Sequence, residues 1–175
     1  MNILALDTAT KTGWATFIDG QIESGVQDFT KKRGESPGML FLRFNAWLMG
    51  IALKTLPGST AAAPFTEILE DGYKPFDVIV YEQAHHRGGY ATNLCVGLTT
   101  RLQEFAARIG AESMAVQSGT LKKATTGKGN ASKEEMMVWF KEQTGRDPID
   151  DNEADAYALL MLACKELTLN EFEVK

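Results

Sequence analysis

The chain has 175 residues, a length that suits one domain with a sizeable core, and its composition is that of an ordinary globular protein. A net charge of −5 and a pI near 5.1 argue against a general nucleic-acid binder. No apolar run is long enough to span a membrane, and the opening MNILALD carries no basic leader, so the expectation is a cytoplasmic protein.

Ile3 to Leu6 is a continuous apolar run that ends at Asp7, the pattern of a strand buried on both faces. Trp14 to Ile18 reads as a second strand, Asp19-Gly20 as a hairpin turn, and Gln21 to Phe29 as a third strand with Ile22 and Val26 on one side. The chain therefore opens with a three-stranded antiparallel meander. After a polar loop from Thr30 to Pro37, Met39 to Leu56 carries Leu40, Phe44, Trp47, Leu48 and Ile51 at helical spacing. Pro57 to Pro75 reads as an irregular insertion with a short helical stretch around Thr66 to Glu70.

Val78 to Tyr81 is a second buried-strand run, and it ends at Glu82 as the first ends at Asp7. A glycine-containing loop, HHRGGY, leads to a helix over Thr92 to Ile109. Its stripe of Leu94, Leu98, Leu102, Phe105 and Ile109 suits burial in the core or in a dimer interface. Glu112 to Gln117 reads as a strand, and Lys133 to Thr144 and Asp151 to Leu167 as helices. The sum is an α/β chain with a mixed sheet flanked by helices, expected as a single domain over 1–175. Cys95 and Cys164 lie in apolar helical surroundings without metal-ligand spacing, so they read as reduced core residues.

Charge is unevenly placed. Lys122, Lys123, Lys128 and Lys133 share one stretch without an acid, whereas Asp147 to Asp155 holds five acids; such segregation marks either a site or a solvated surface. In DNEADAYALL, Asp150 and Asp151 suit a helix N-terminus, with Glu153 in a capping-box role. Asp155 lies a full turn in, between Ala154 and Ala156, whose small side chains let a helix approach a sheet closely. Asp151 is one turn earlier on the same helix face.

A lone acid of this kind ordinarily ends a strand or caps a helix. Considered together, Asp7 and Glu82 would emerge at one sheet edge if their strands are parallel neighbours, and ligand sites of open α/β sheets lie at the carboxyl ends of strands. Several carboxylates at close range need a counter-cation, and an all-oxygen set suits Mg²⁺ or Mn²⁺. Two such ions about 4 Å apart can stabilise the attacking and leaving oxygens of a phosphodiester displacement.

Four stretches, LALDTATKTGWA, VIVYEQ, LKKATTGKGNASKEEM and EADAYALL, in that order, resemble the RuvC family of Holliday-junction resolvases. The resemblance covers most of the chain outside Pro57 to Pro75. It implies an RNase H-like fold, a homodimer, and Mg²⁺-dependent nicking of branched DNA, with two ions per site and Mn²⁺ as a substitute. Asp7, Glu82 and Asp155 match three of the family's acids. The family's fourth acid falls at Asn152, three residues before Asp155; Asp151, four residues before, is on the right face and charged, so either residue is a candidate and Asp151 is preferred. Lys122 and Lys133 match basic positions of the family, and with Lys123 and Lys128 they would meet DNA phosphates. His85, His86, Arg87 and Tyr90 border the site in the loop after Glu82 and would stack on or contact the bases of an opened junction. A zinc site at His85 and His86 lacks a cysteine partner.

Two other readings stay open. MNILALDTAT also resembles the start of TsaB, a non-catalytic scaffold of actin-like fold in tRNA modification, although Glu82 and the EADA helix have no role there. A branched-DNA-binding protein that does not cut would follow if Asn152 marks a lost ligand.

Overall fold

The computed structural model describes residues 1–55, 73–84 and 89–173, with the backbone alone for Tyr90 and 168–173. Most of the expected insertion, including its helical stretch, and His85, His86 and Arg87 lie outside the described residues. The strands are β1 (Ile3–Asp7), β2 (Lys11–Ile18), β3 (Gln21–Asp28), β4 (Val78–Glu82) and β5 (Glu112–Val116). The helices are α1 (Gly38–Lys54), α2 (Tyr90–Arg108), α3 (Ser118–Thr126), α4 (Lys133–Thr144) and α5 (Asp151–Glu173). The strands form one sheet in the order β3-β2-β1-β4-β5. β1, β2 and β3 make the expected antiparallel meander, while β4 runs parallel to β1 and β5 parallel to β4.

The β2–β3 hairpin turns where Asp19 and Gly20 both take positive φ, 50° and 80°, as a tight two-residue turn requires. β1 is apolar up to Asp7 because both its faces are covered: Ile3, Leu4, Ala5 and Leu6 are all fully buried. Alternation sorts them. Ile3 and Ala5 join a core with Leu121 of α3, Met136 and Phe140 of α4, and Ala154, Tyr157 and Ala158 of α5. Leu4 and Leu6 join the other core, with Phe44 and Leu48 of α1 and Leu98 and Leu102 of α2. The apolar stripe of α2 belongs to that second core, with Leu94 packed at its edge, so it is not available as a dimer face.

Several expectations need correction. β2 begins at Lys11 rather than Trp14, and α5 runs to Glu173 rather than Leu167. α3 is an element that the sequence pattern does not announce; Leu121 is its one fully buried side chain, too little for a periodic apolar signal, and Gly127 ends it in the left-handed conformation at φ 78°. Lys122 and Lys123 therefore stand on a helix. Cys95 and Cys164 are free but only half-buried, at the margins of the core. Ile22 is exposed. No described helix is long and apolar enough to cross a membrane.

Candidate active site

Strand register brings Asp7 and Glu82 to one edge. Leu6 pairs with Tyr81 across the parallel β1–β4 ladder, and the next residue on each strand is the acid. Each acid also has the parity of the residues that face α5: Ile3 and Ala5 on β1, Val78 and Val80 on β4. Both carboxylates thus emerge at the carboxyl end of the sheet on the side where α5 lies.

α5 can approach because small residues line the contact. Ala154, Ala156 and Ala158 are fully buried. Gly13, the register partner of Asp7 on β2, lies directly under the first turn of α5. A Cβ there would stand 1.8 Å from the Asn152 carbonyl oxygen, so only glycine permits this packing. The first turn is held by Asp150, whose Oδ1 accepts from the N–H groups of Asn152 and Glu153 at 3.0 and 3.2 Å. Asp151 and Asp155 then share the face one turn apart.

The neighbouring acids act on Asp7 and Asp155. Burial, then Glu82, Asp155 and Asp151, push the Asp7 carboxyl well above its ordinary range, and Lys133 opposes them. Burial and Glu82, followed by Asp151, push Asp155 up to about 7, against the pull of Lys122 and Lys133. Among the described residues, Asp155 Oδ1 is buried without a hydrogen-bond partner. Asp151 forms an ion pair with Lys133, and that contact raises the lysine. Among the described residues no three His, Cys, Asp or Glu side chains converge closely enough to hold an ion as they stand. The donor set is nevertheless all carboxylate, and an orphaned carboxylate oxygen at its centre is what a hard divalent cation would satisfy.

Glu153 takes no part. It is fully buried, but its oxygens accept from Arg146 Nη2 at 2.5 Å, Ser24 Oγ at 2.8 Å and the Ile149 N–H at 2.6 Å. Burial alone pushes its carboxyl up; the Arg146 guanidinium, the Ile149 N–H and the Ser24 hydroxyl together hold it below its ordinary range. The expected capping box is absent: Glu153 reaches Ile149 rather than Asp150, because its main partner is Arg146.

The basic residues divide. Lys122 and Lys133 carry their charge toward the acids. Lys128 is paired with Glu135 at 2.7 Å, and exposed Lys123 stands one residue from Lys122 on α3. Tyr90 is the first residue of α2. Cys95, one turn further on, feels the site: burial raises its thiol, and Asp7 and Glu82 add to the rise. Gly13 and Cys95 have no role that the sequence alone assigns. Gly13 falls just before the strand read from Trp14, so the signal of a glycine inside a strand is missing there, and Cys95 offers none.

No family model and no curated protein matches the chain in sequence. Its structure is similar to that of Thermus thermophilus RuvC, with a TM-score of 0.62 at 17% identity over 91% of this chain and 90% of that one. It is similar to the same organism's RuvC in complex with a Holliday junction substrate, with a TM-score of 0.64, the same identity and the same coverage. The chain has the RuvC-type α/β fold, a mixed five-stranded sheet flanked by helices.

Proposed function

We propose that this chain is a metal-dependent endonuclease that nicks branched DNA, with the four-way junction as its principal substrate. The observation that carries the reading is the Asp155 carboxyl, buried near other acids with one oxygen that has no partner among the described residues. A buried polar group without a partner costs about 1–3 kcal/mol, a cost that a purely structural residue would not impose. The fold supports the same reading, since a structural neighbour is a RuvC complexed with a Holliday junction substrate.

In this reading Asp7, Glu82, Asp151 and Asp155 hold two Mg²⁺ ions, with Mn²⁺ as a substitute. Bound there, the ions would supply charge stabilisation for the attacking and leaving oxygens of phosphodiester hydrolysis. Asp151 is the fourth ligand rather than Asn152: it is charged and stands on the Asp155 face, whereas the Asn152 backbone is pressed against Gly13. Lys122, Lys123, Lys128 and Lys133 draw phosphates toward the acids, a local basic surface that offsets the net charge of −5 within the roughly 10 Å reach of electrostatics at ordinary salt. His85, His86, Arg87 and Tyr90 contact bases near the point of strand exchange. The chain acts as one domain and as a twofold dimer, which presents two sites to a substrate of matching symmetry. Because the α2 stripe is in the core, the dimer forms through another surface.

The test is a cleavage assay on a synthetic four-way junction with and without Mg²⁺. Paired nicks that require Mg²⁺ are expected. Junction binding without cleavage at any Mg²⁺ or Mn²⁺ concentration would overturn the nuclease reading in favour of a binding protein.

A further inference from the structure

We propose that the Lys133 ammonium holds a cation position of the acid cluster, competes with divalent metal for Asp151, and is released toward the DNA phosphates when metal enters. The proposal rests on the metal-site reading given above.

Lys133 is the first residue of α4, where the positive end of the helix dipole disfavours a cation. Its neighbours Glu134 and Glu135 are the acids that such a position ordinarily carries. The lysine is held there by a rigid turn: Ser132 Oγ accepts from the Glu135 N–H at 3.2 Å, and Glu135 Oε2 accepts from the Ser132 N–H at 2.9 Å. From that fixed root the side chain reaches across to α5 and ion-pairs with Asp151. Its charge is also felt at Asp155 and Asp7. One flexible cation thus serves three of the four acids.

The contact can exchange. Lys133 is 69% exposed, and ion pairs open to water are weak and readily broken. The ammonium donates hydrogen bonds to the Asp151 carboxylate, and a metal ion would need the same lone pairs. The exchange would couple the two halves of the reaction: the lysine becomes free to meet phosphate only at a site that has taken up metal.

The test is a Mn²⁺ titration of the full chain without DNA, read by the electron paramagnetic resonance signal of free Mn²⁺. Wild type is compared with Lys133→Ala, Lys133→Arg and Lys141→Ala. Lys141 pairs with Asp147 at 2.8 Å in the last turn of α4 and controls for the loss of any one positive charge. Lys133→Ala should bind Mn²⁺ about two- to five-fold more tightly than wild type, on the scale of removing one exposed ion pair. Lys133→Arg, which keeps a cation, and Lys141→Ala should stay near wild type. If wild type binds Mn²⁺ and Lys133→Ala binds it equally or more weakly, the competition is overturned and the metal site stands. If wild type and all three variants bind no Mn²⁺, the metal site itself falls, and this proposal with it.

Discussion

Glu153 and Asp155 stand two residues apart on the same helix, and their surroundings are opposite. Glu153 is fully buried yet has Arg146, Ser24 and the Ile149 N–H on its oxygens. Asp155 keeps an oxygen with no partner among the described residues and faces further acids. Burial acts on both in the same direction, so the difference lies in what the chain places beside each one. A carboxylate surrounded by donors holds a fold together. One surrounded by carboxylates strains it, and such a group persists where something outside the chain completes it.

The comparison is sharpest at the sheet edge. Asp7→Asn and Glu82→Gln should each lower junction cleavage by at least about 10²–10³-fold, the scale for removing one preorganised charge-stabilising group. Circular dichroism should show both variants folded. Substantial Mg²⁺-dependent cleavage by Glu82→Gln would remove that residue from the site.

Gly13→Ala should damage both regions at once. The new methyl meets the Asn152 backbone, so α5 must shift, at about 1–3 kcal/mol for overpacking. The shift carries Asp155 away from Asp7, and a displacement near 1 Å is worth about 10²-fold in rate. An alanine variant with wild-type melting and cleavage would show that the contact is soft.

Glu153→Gln should leave cleavage intact and lower stability. Breaking a buried pair costs about 3–5 kcal/mol when both partners are enclosed. Arg146 is 48% exposed, so about 2–3 kcal/mol is expected in a denaturant titration. The two acids also tilt stability with pH in opposite senses. The lowered Glu153 contributes stability above the ordinary carboxyl range and loses it as pH falls through its folded value. The raised Asp155 does the reverse: from pH about 4, where the unfolded chain releases its proton, up to about 7, the fold keeps the proton and stability falls as pH rises. Asp155→Asn should therefore melt at least about 2–4 °C higher than wild type at pH 8 in a chelator, and no higher at pH 4. An equal difference at both values would mean that Asp155 does not titrate in this window.

The smallest effect concerns the basic surface. Lys122→Ala with Lys133→Ala should weaken junction binding and reduce its salt slope by about 2, one for each phosphate that a lysine no longer neutralises. An unchanged slope would show that these lysines only face solvent.

What the sequence makes legible follows the same division. Asp7 and Glu82 can be found because an apolar run ending in an acid needs only strand alternation to be interpreted, and the sheet then sets them side by side. Asp155 stands out against its alanines. Glu153 reads wrongly as a capping-box residue because Ser24 comes from β3 and Arg146 from the connection before α5, and helical spacing cannot show them. Gly13 is hidden for the same reason, since its need for glycine arises from the Asn152 backbone. α3 is hidden because one buried leucine makes no period. His85, His86 and Arg87 lie outside the described residues.

The most direct measurement is the single-turnover cleavage rate of a four-way junction in Mg²⁺ by Asp155→Asn and Glu153→Gln, side by side, at a temperature where both are folded. The account predicts that Asp155→Asn, the more stable protein at pH 8, binds the junction but does not cut it, while Glu153→Gln, the less stable one, cuts at close to the wild-type rate. Wild-type cutting by Asp155→Asn would contradict the claim that the unpartnered carboxylate is the centre of the site.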